Sequence, residues 1–74
     1  MSEATKAIWA CVTADEWIST AEIVDRVPEL QGFRSTKMSK VYGQLAKGIK
    51  YGLIEKRVIE KGPSGRTTQW RRKA

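Results

Sequence analysis

The sequence predicts an α+β domain in which three helices precede a C-terminal β-hairpin. Three observations support this fold class. Apolar residues recur at spacings of three and four through the first two thirds of the chain, the period falls to two after Gly52, and residues 62–65 (Gly-Pro-Ser-Gly) form a strong turn signal. The 74 residues suffice for one small domain over residues 1–74.

The first helix is predicted for about residues 3–13. Ser2 precedes it and can accept a hydrogen bond from a backbone N–H of the first turn. Its apolar positions recur at i, i+4, i+7 and i+8 and form one stripe of Ala4, Ile8, Cys11 and Val12. Trp17 and Ile18 follow as a short apolar pair that we expect to be extended.

The second helix is predicted for about residues 20–27. Ser19 and Glu22 have the spacing of a capping box, in which the Ser hydroxyl accepts from the Glu22 backbone and the carboxylate reaches back. Pro28 disfavours helical geometry at the preceding residue and ends the helix. In the turn that follows, Gly32 is free to take a positive φ angle. Two apolar residues of this turn are expected to pack onto the core, Leu30 and Phe33.

The third helix is predicted for about residues 36–51. Ser35 or Thr36 is the expected N-cap, and Gly52 is the expected C-terminal stop. The inner face repeats at helical spacing and consists of Met38, Val41, Tyr42, Leu45 and Ile49. Gly43 and Gly48 lie within this helix and would permit the close approach of a neighbouring element.

The β-hairpin is predicted for about residues 53–72. On its first strand, Lys56 and Glu60 interrupt an alternating set that otherwise holds Ile54 and Val58. On the return strand, Trp70 is expected to face inward. The same alternation places Thr68 and Arg72 on the inner side, and Thr67, Gln69 and Arg71 on the outer side.

Charge is distributed unevenly along the chain. The 14 Lys and Arg against 8 Asp and Glu give a net charge of +6, but residues 1–33 carry −4 and residues 34–74 carry +10. A basic half of this strength favours a polyanionic partner.

Several function classes are excluded by composition. The chain has no histidine and one cysteine, which rules out histidine-based catalysis, an internal disulfide and a cysteine zinc site. We therefore expect neither an enzyme nor a metal or cofactor. The longest apolar run, residues 7–12, is far shorter than the ~20 residues that span a bilayer. An intracellular protein without a membrane partner is expected, in the cytoplasm or nucleoid of a prokaryotic or viral host cell.

Two stretches carry a family resemblance. Residues 17–24 (Trp-Ile-Ser-Thr-Ala-Glu-Ile-Val) and residues 41–57, which end in Gly-Leu-Ile-Glu-Lys-Arg, resemble the winged helix-turn-helix DNA-binding family, with the likeness extending over about residues 3–72. The sequence departs from the family by carrying Gly48 where an apolar residue is common. The resemblance implies a small transcriptional regulator that binds double-stranded DNA with its third helix in the major groove. The hairpin, or wing, would then contact the backbone or the minor groove.

The side-chain types indicate which residues are expected to contact DNA. In the third helix these are Ser35, Thr36, Lys37, Lys40, Gln44 and Lys47. Glutamine can pair with adenine, lysine can contact guanine or phosphate, and a helix N-terminus can bind a phosphate oxygen. In the wing the expected contacts are Lys61, Arg66, Thr67, Gln69, Arg71 and Arg72.

Other partners stay open at this point. The acidic first half could bind a basic protein, as a viral or mobile-element adaptor would, through Glu3, Asp15, Glu16, Glu22, Asp25 and Glu29. Structured RNA is a third possibility. The expected state is a monomer or a weak homodimer, and self-association through the first helix and its Trp9 stays open.

Overall fold

The computed structural model describes residues 2–60, 62–63 and 65–73. The elements, in chain order, are α1 (Glu3–Cys11), β1 (Ile18–Ser19), α2 (Thr20–Arg26), α3 (Arg34–Lys50), β2 (Ile54–Glu60) and β3 (Arg66–Arg72). The three strands form an antiparallel sheet in the order β1–β3–β2. The α+β class and the order of helices before a hairpin, both expected from the sequence, are confirmed.

Helix α1 is shorter than predicted. Its N-terminus is capped as expected, because the Thr5 backbone N–H donates to Ser2 Oγ over 3.2 Å. It ends at Cys11 and not at Thr13, since Val12 takes an extended conformation and turns its side chain into the core.

Helix α2 begins at the predicted capping box. The Glu22 backbone N–H donates to Ser19 Oγ over 3.1 Å, and the Ser19 hydroxyl donates back to Glu22 Oε1 over 3.2 Å. The helix ends at Arg26, and Val27 leaves helical geometry ahead of Pro28.

Helix α3 begins two residues earlier than predicted, and the expected N-cap at Ser35 or Thr36 is wrong. The N-cap is Phe33, whose backbone is extended, so both hydroxyl residues lie inside the first helical turn. The expected packing of Phe33 onto the core is also wrong, because its side chain is 84% exposed. Leu30 alone closes the core beneath this turn, and Gly32, at φ +103°, redirects the chain.

Gly48 is where three elements converge. A Cβ at this position would lie 2.8 Å from Trp9 Cη2 of α1 and 2.7 Å from Ile54 Cδ1 of β2. The missing side chain therefore lets α1 and β2 approach α3 closely. The helix ends at Lys50, and Gly52 follows at φ +74°.

The hairpin register separates the strand residues onto two faces. Seven residues of β2 pair with seven of β3, from Ile54 opposite Arg72 to Glu60 opposite Arg66. Alternation then defines the inner face, towards the helices, as Ile54, Lys56, Val58, Glu60, Arg66, Thr68, Trp70 and Arg72. The short strand β1 pairs with β3 one residue later than the expected Trp17–Ile18 pair, through Ile18 and Ser19.

Trp70 lies at the centre of the core and is 0% exposed. Its indole Nε1 donates to Thr20 Oγ1 over 2.8 Å, and the Tyr42 ring packs edge-on against it at a centroid distance of 5.2 Å. Tyr42 was expected on the inner face of the third helix. It lies at the edge of that face, 43% exposed, where its ring contacts Trp70.

Candidate nucleic-acid interface

The most solvent-facing side of α3 is a strip of mostly small residues. They recur at spacings of three and four and are all exposed, and we call them the central strip: Thr36, Ser39, Gly43, Ala46 and Lys50. A Cβ at Gly43 would meet no described atom within 4 Å. A flat surface of this kind can approach another molecule closely along the length of the helix.

The predicted stripe of basic and amide residues lies on the flank of α3 that faces α1. Lys40 and Lys47 are exposed, whereas Lys37 and Gln44 are half-buried. A groove of about 400 Å³ separates this flank from the N-terminal turn of α1. Gln44 lines that groove and so lies beside the central strip and not at its middle.

The first turn of α3 offers exposed donors. Ser35 and Thr36 are exposed, and the first turn of any helix leaves backbone N–H groups without an intrahelical acceptor. Arg34 Nη1 donates to Asp25 Oδ1 of α2 over 2.8 Å. This hydrogen bond and the guanidinium charge hold the pKa of Asp25 below its ordinary value, and they raise the pKa of Arg34.

The predicted wing residues do not form one surface. Arg66 is on the inner face, near α3, with its Nε 3.8 Å from Glu60 Oε1. Arg72 shares that face but lies at the opposite end of the strand, where its Nη2 donates to the Trp9 backbone oxygen over 2.9 Å. Lys61 lies outside the described residues. The other three, Thr67, Gln69 and Arg71, alternate onto the outer face, although Thr67 also lines the groove between β3 and α3.

The outer face holds a stacked cluster that sequence reasoning missed. Two guanidinium groups pack on the Trp17 ring, that of Arg57 at 4.4 Å from the ring centroid and that of Arg71 at 4.5 Å. Arg57 Nε donates to Gln69 Oε1 and Arg71 Nε donates to Glu55 Oε1, each over 2.7 Å. These contacts link the loop before β1 to both hairpin strands, so they stabilise the sheet.

A second missed feature lies between α3 and the hairpin. Lys56 Nζ donates to the Tyr42 hydroxyl over 3.1 Å and lies 5.4 Å from the Tyr42 ring centroid and 6.0 Å from that of Trp70. The available signal was the interrupted alternation of the first hairpin strand. A lysine between Ile54 and Val58, at an inward position of the alternating set, indicates a cation that faces the helices.

The salt bridges among the described residues are formed by arginines, although Arg57 and Arg72 have none. The salt bridges among the described residues join Arg26 to Glu22, Arg34 to Asp25, Arg66 to Glu60 and Arg71 to Glu55. Within this same part of the chain, no lysine lies within salt-bridge distance of a carboxylate. The lysines of α3 and β2 are therefore among the positive charges that are available to a partner.

No metal site or membrane span is found in the described parts of the chain. No cluster of three or more His, Cys, Asp or Glu side chains there could hold a metal ion. None of the helices described has the length and apolar character needed to cross a membrane. No family model matches the chain, and no curated protein or solved structure is found to be significantly similar to it.

Proposed function

We propose that this domain is a winged helix-turn-helix that binds double-stranded DNA, as a small transcriptional regulator does. The observation that carries the proposal is the outward side of α3. There a flat central strip runs beside unpaired lysines, and no acidic residue occurs between positions 34 and 54.

The dimensions of α3 suit the major groove of B-DNA. Its 17 residues give a helix of about 25 Å, and the groove is about 12 Å wide. Small side chains at Ser39, Gly43 and Ala46 would let the helix axis approach the base edges. Lys40 and Lys47 would then reach guanine edges or phosphates on the flank towards α1, where Gln44 would contact adenine.

The turn and the hairpin supply the remaining contacts of the proposed complex. The α3 N-terminus, with Ser35, Thr36 and Lys37, would receive a backbone phosphate. The hairpin would act as the wing, and Arg66 lines the groove that the inner face shares with α3. The arrangement of α2, a turn, α3 and a β1–β3–β2 sheet is compatible with that fold.

A salt titration of duplex binding tests the proposal. About six phosphate contacts give a plot of log affinity against log salt concentration with a slope near −5. Charge reversal by Lys40→Glu with Lys47→Glu should abolish binding. The matched control, Lys6→Glu with Lys73→Glu, changes the net charge equally away from the central strip and should retain most of the affinity. Absence of duplex binding at low salt would refute the proposal.

A protein partner for the acidic half is the second candidate. Glu22 and Asp25 are matched by Arg26 and Arg34, but the structure gives no salt bridge for Glu3, Asp15, Glu16 or Glu29 within the described residues. These four would be the surface for a basic protein. An activity that survives Lys40→Glu with Lys47→Glu would favour this function over DNA binding.

A further inference from the structure

Lys56 occupies an unusual place for a lysine. It lies on the inner face of β2, opposite Trp70, where the strand alternation points side chains at the helices. The ammonium does not simply extend into bulk water. Lys56 Nζ donates a hydrogen bond to the Tyr42 hydroxyl and lies over the rings of Tyr42 and Trp70. The side chain is thus positioned at the edge of the gap between α3 and the hairpin.

The charge on Lys56 has no counter-ion among the residues described. Glu60 shares the inner face but pairs with Arg66, and Glu55 is on the outer face with Arg71. Since the Tyr42 oxygen accepts from the ammonium, its own O–H remains available to donate. Two kinds of donor, N–H groups of the ammonium and the phenolic O–H, therefore meet at one point.

The adjacent groove suits an anion with hydrogen-bond acceptors. It has a volume of about 350 Å³ and lies between α2, α3 and β3. Ser39 and Thr68 contribute hydroxyl groups, and Arg66 contributes a guanidinium that also pairs with Glu60. No carboxylate of the described chain lines it. The groove is also on the opposite side of the central strip from Lys40 and Lys47.

We propose that Lys56 and Tyr42 bind one phosphodiester group of the DNA strand that passes between α3 and the hairpin. This inference rests on the proposed function and makes it more specific. The two strands that border the major groove would be contacted on opposite flanks, one by Lys40 and Lys47 and the other by this pair. Because a phosphate carries no base identity, Lys56 sets the position of the domain on the duplex and not its sequence preference.

Two substitutions separate this role from a structural one. Lys56→Gln should weaken binding to every duplex by about threefold to tenfold and make the slope of the salt plot less negative by about one. Tyr42→Phe should weaken binding by about fivefold with the slope unchanged, because a neutral donor is lost. Lys56→Arg keeps the charge and should stay close to the wild type. The control Lys6→Gln removes one charge far from the groove.

A modified duplex identifies the phosphate itself. In a duplex selected for tight binding, each phosphate is replaced in turn by an uncharged methylphosphonate. One replacement should weaken the wild type clearly more than it weakens Lys56→Gln, because the ionic contact that it removes is already missing in that variant. Folding of every variant is checked by thermal unfolding.

The outcomes distinguish the two proposals. If the wild type binds no duplex, both fail. If it binds with the expected salt dependence but Lys56→Gln behaves like Lys6→Gln, the phosphate site is overturned and the proposed function stands. The site would also be overturned if Lys56→Gln is folded and binds every methylphosphonate duplex more weakly than the wild type does by the same factor. No single phosphate would then be the partner of Lys56.

Discussion

Trp70 illustrates, at the scale of a residue, how one side chain organises a core this small. Its ring fills the space between the sheet and the helices, and its single polar atom is satisfied by Thr20, fifty positions away in sequence. A buried indole N–H without an acceptor destabilises the folded state. The hydroxyl of Thr20 therefore contributes to the stability of the core by accepting this hydrogen bond.

Replacing that hydroxyl isosterically should destabilise the fold. Thr20→Val leaves the Trp70 N–H buried and without an acceptor, and we expect the free energy of unfolding to fall by about 1–3 kcal/mol. Urea unfolding measures the difference. Thr13→Val, at an exposed position, is the control and should change the free energy of unfolding by no more than about 0.5 kcal/mol. Equal effects of the two substitutions would show that the hydrogen bond contributes nothing.

The Asp25–Arg34 pair should make the stability of the fold depend on pH in the acidic range. Because Arg34 lowers the pKa of Asp25 in the folded state, the pair stabilises the fold at pH values above the unfolded Asp pKa of about 3.9. That contribution is lost as the pH falls through the lower folded pKa. The melting temperature of Asp25→Asn should therefore lie below that of the wild type at pH 6, and the two should converge as the solution approaches about pH 2. A difference that is constant over this range would contradict the prediction.

At the scale of an element, α3 carries two glycines with opposite roles. Gly43 is exposed on the central strip and has open space in front of it, whereas Gly48 is buried against Trp9 and Ile54. The helical pattern alone assigns both the same cost, about 1 kcal/mol relative to alanine. Only the packing of α1 and β2 distinguishes them.

Alanine at the two positions should give results of opposite sign. Gly43→Ala should raise the free energy of unfolding by about 0.5–1 kcal/mol through helix propensity. In Gly48→Ala the same gain is opposed by overpacking of about 1–3 kcal/mol, because the new methyl group meets Trp9 and Ile54. We expect a net loss, measured by urea unfolding of both variants. Equal stabilisation would mean that Trp9 and Ile54 move aside without cost.

At the scale of the whole molecule, arginines and lysines differ in whether they form salt bridges. Four arginines form salt bridges with carboxylates, whereas the described lysines form none, so the exposed lysines of α3 keep their charge for a partner. The acidic residues without a salt bridge belong to α1 and to the loops around α2.

Neutralising those acidic residues should strengthen duplex binding. Glu3→Gln, Asp15→Asn, Glu16→Gln and Glu29→Gln together remove repulsion of a polyanion, and we expect up to about tenfold tighter binding at low salt. The gain should disappear at high salt, because the screening length falls to about 3 Å at 1 M. Fluorescence anisotropy at several salt concentrations measures both. Weaker binding by this variant would show that the carboxylates themselves take part in the interface.

The elements that could be predicted are those with local signals. The capping box at Ser19 and Glu22, the stop at Gly52 and the inward position of Trp70 each depend on residues that are close in sequence, and the structure confirms all three. The start of α3 could not be predicted, because two hydroxyl residues suggested a cap, while the fold begins the helix at Arg34 and joins it there to Asp25. The outward face of the third helix was predicted only approximately, because Gln44 was expected on it but lies in the groove between α3 and α1.

The amino-acid sequence by itself determined the order of the elements and the acidic and basic halves of the chain. The tertiary structure decided which charges remain unpaired and which side chains meet. It divided the predicted wing residues between two faces, left Phe33 in solvent, and brought Lys56 to Tyr42. The physical reason is that capping and periodicity act over a few residues, whereas hairpin register and helix packing join positions that are far apart in sequence and have no local signature.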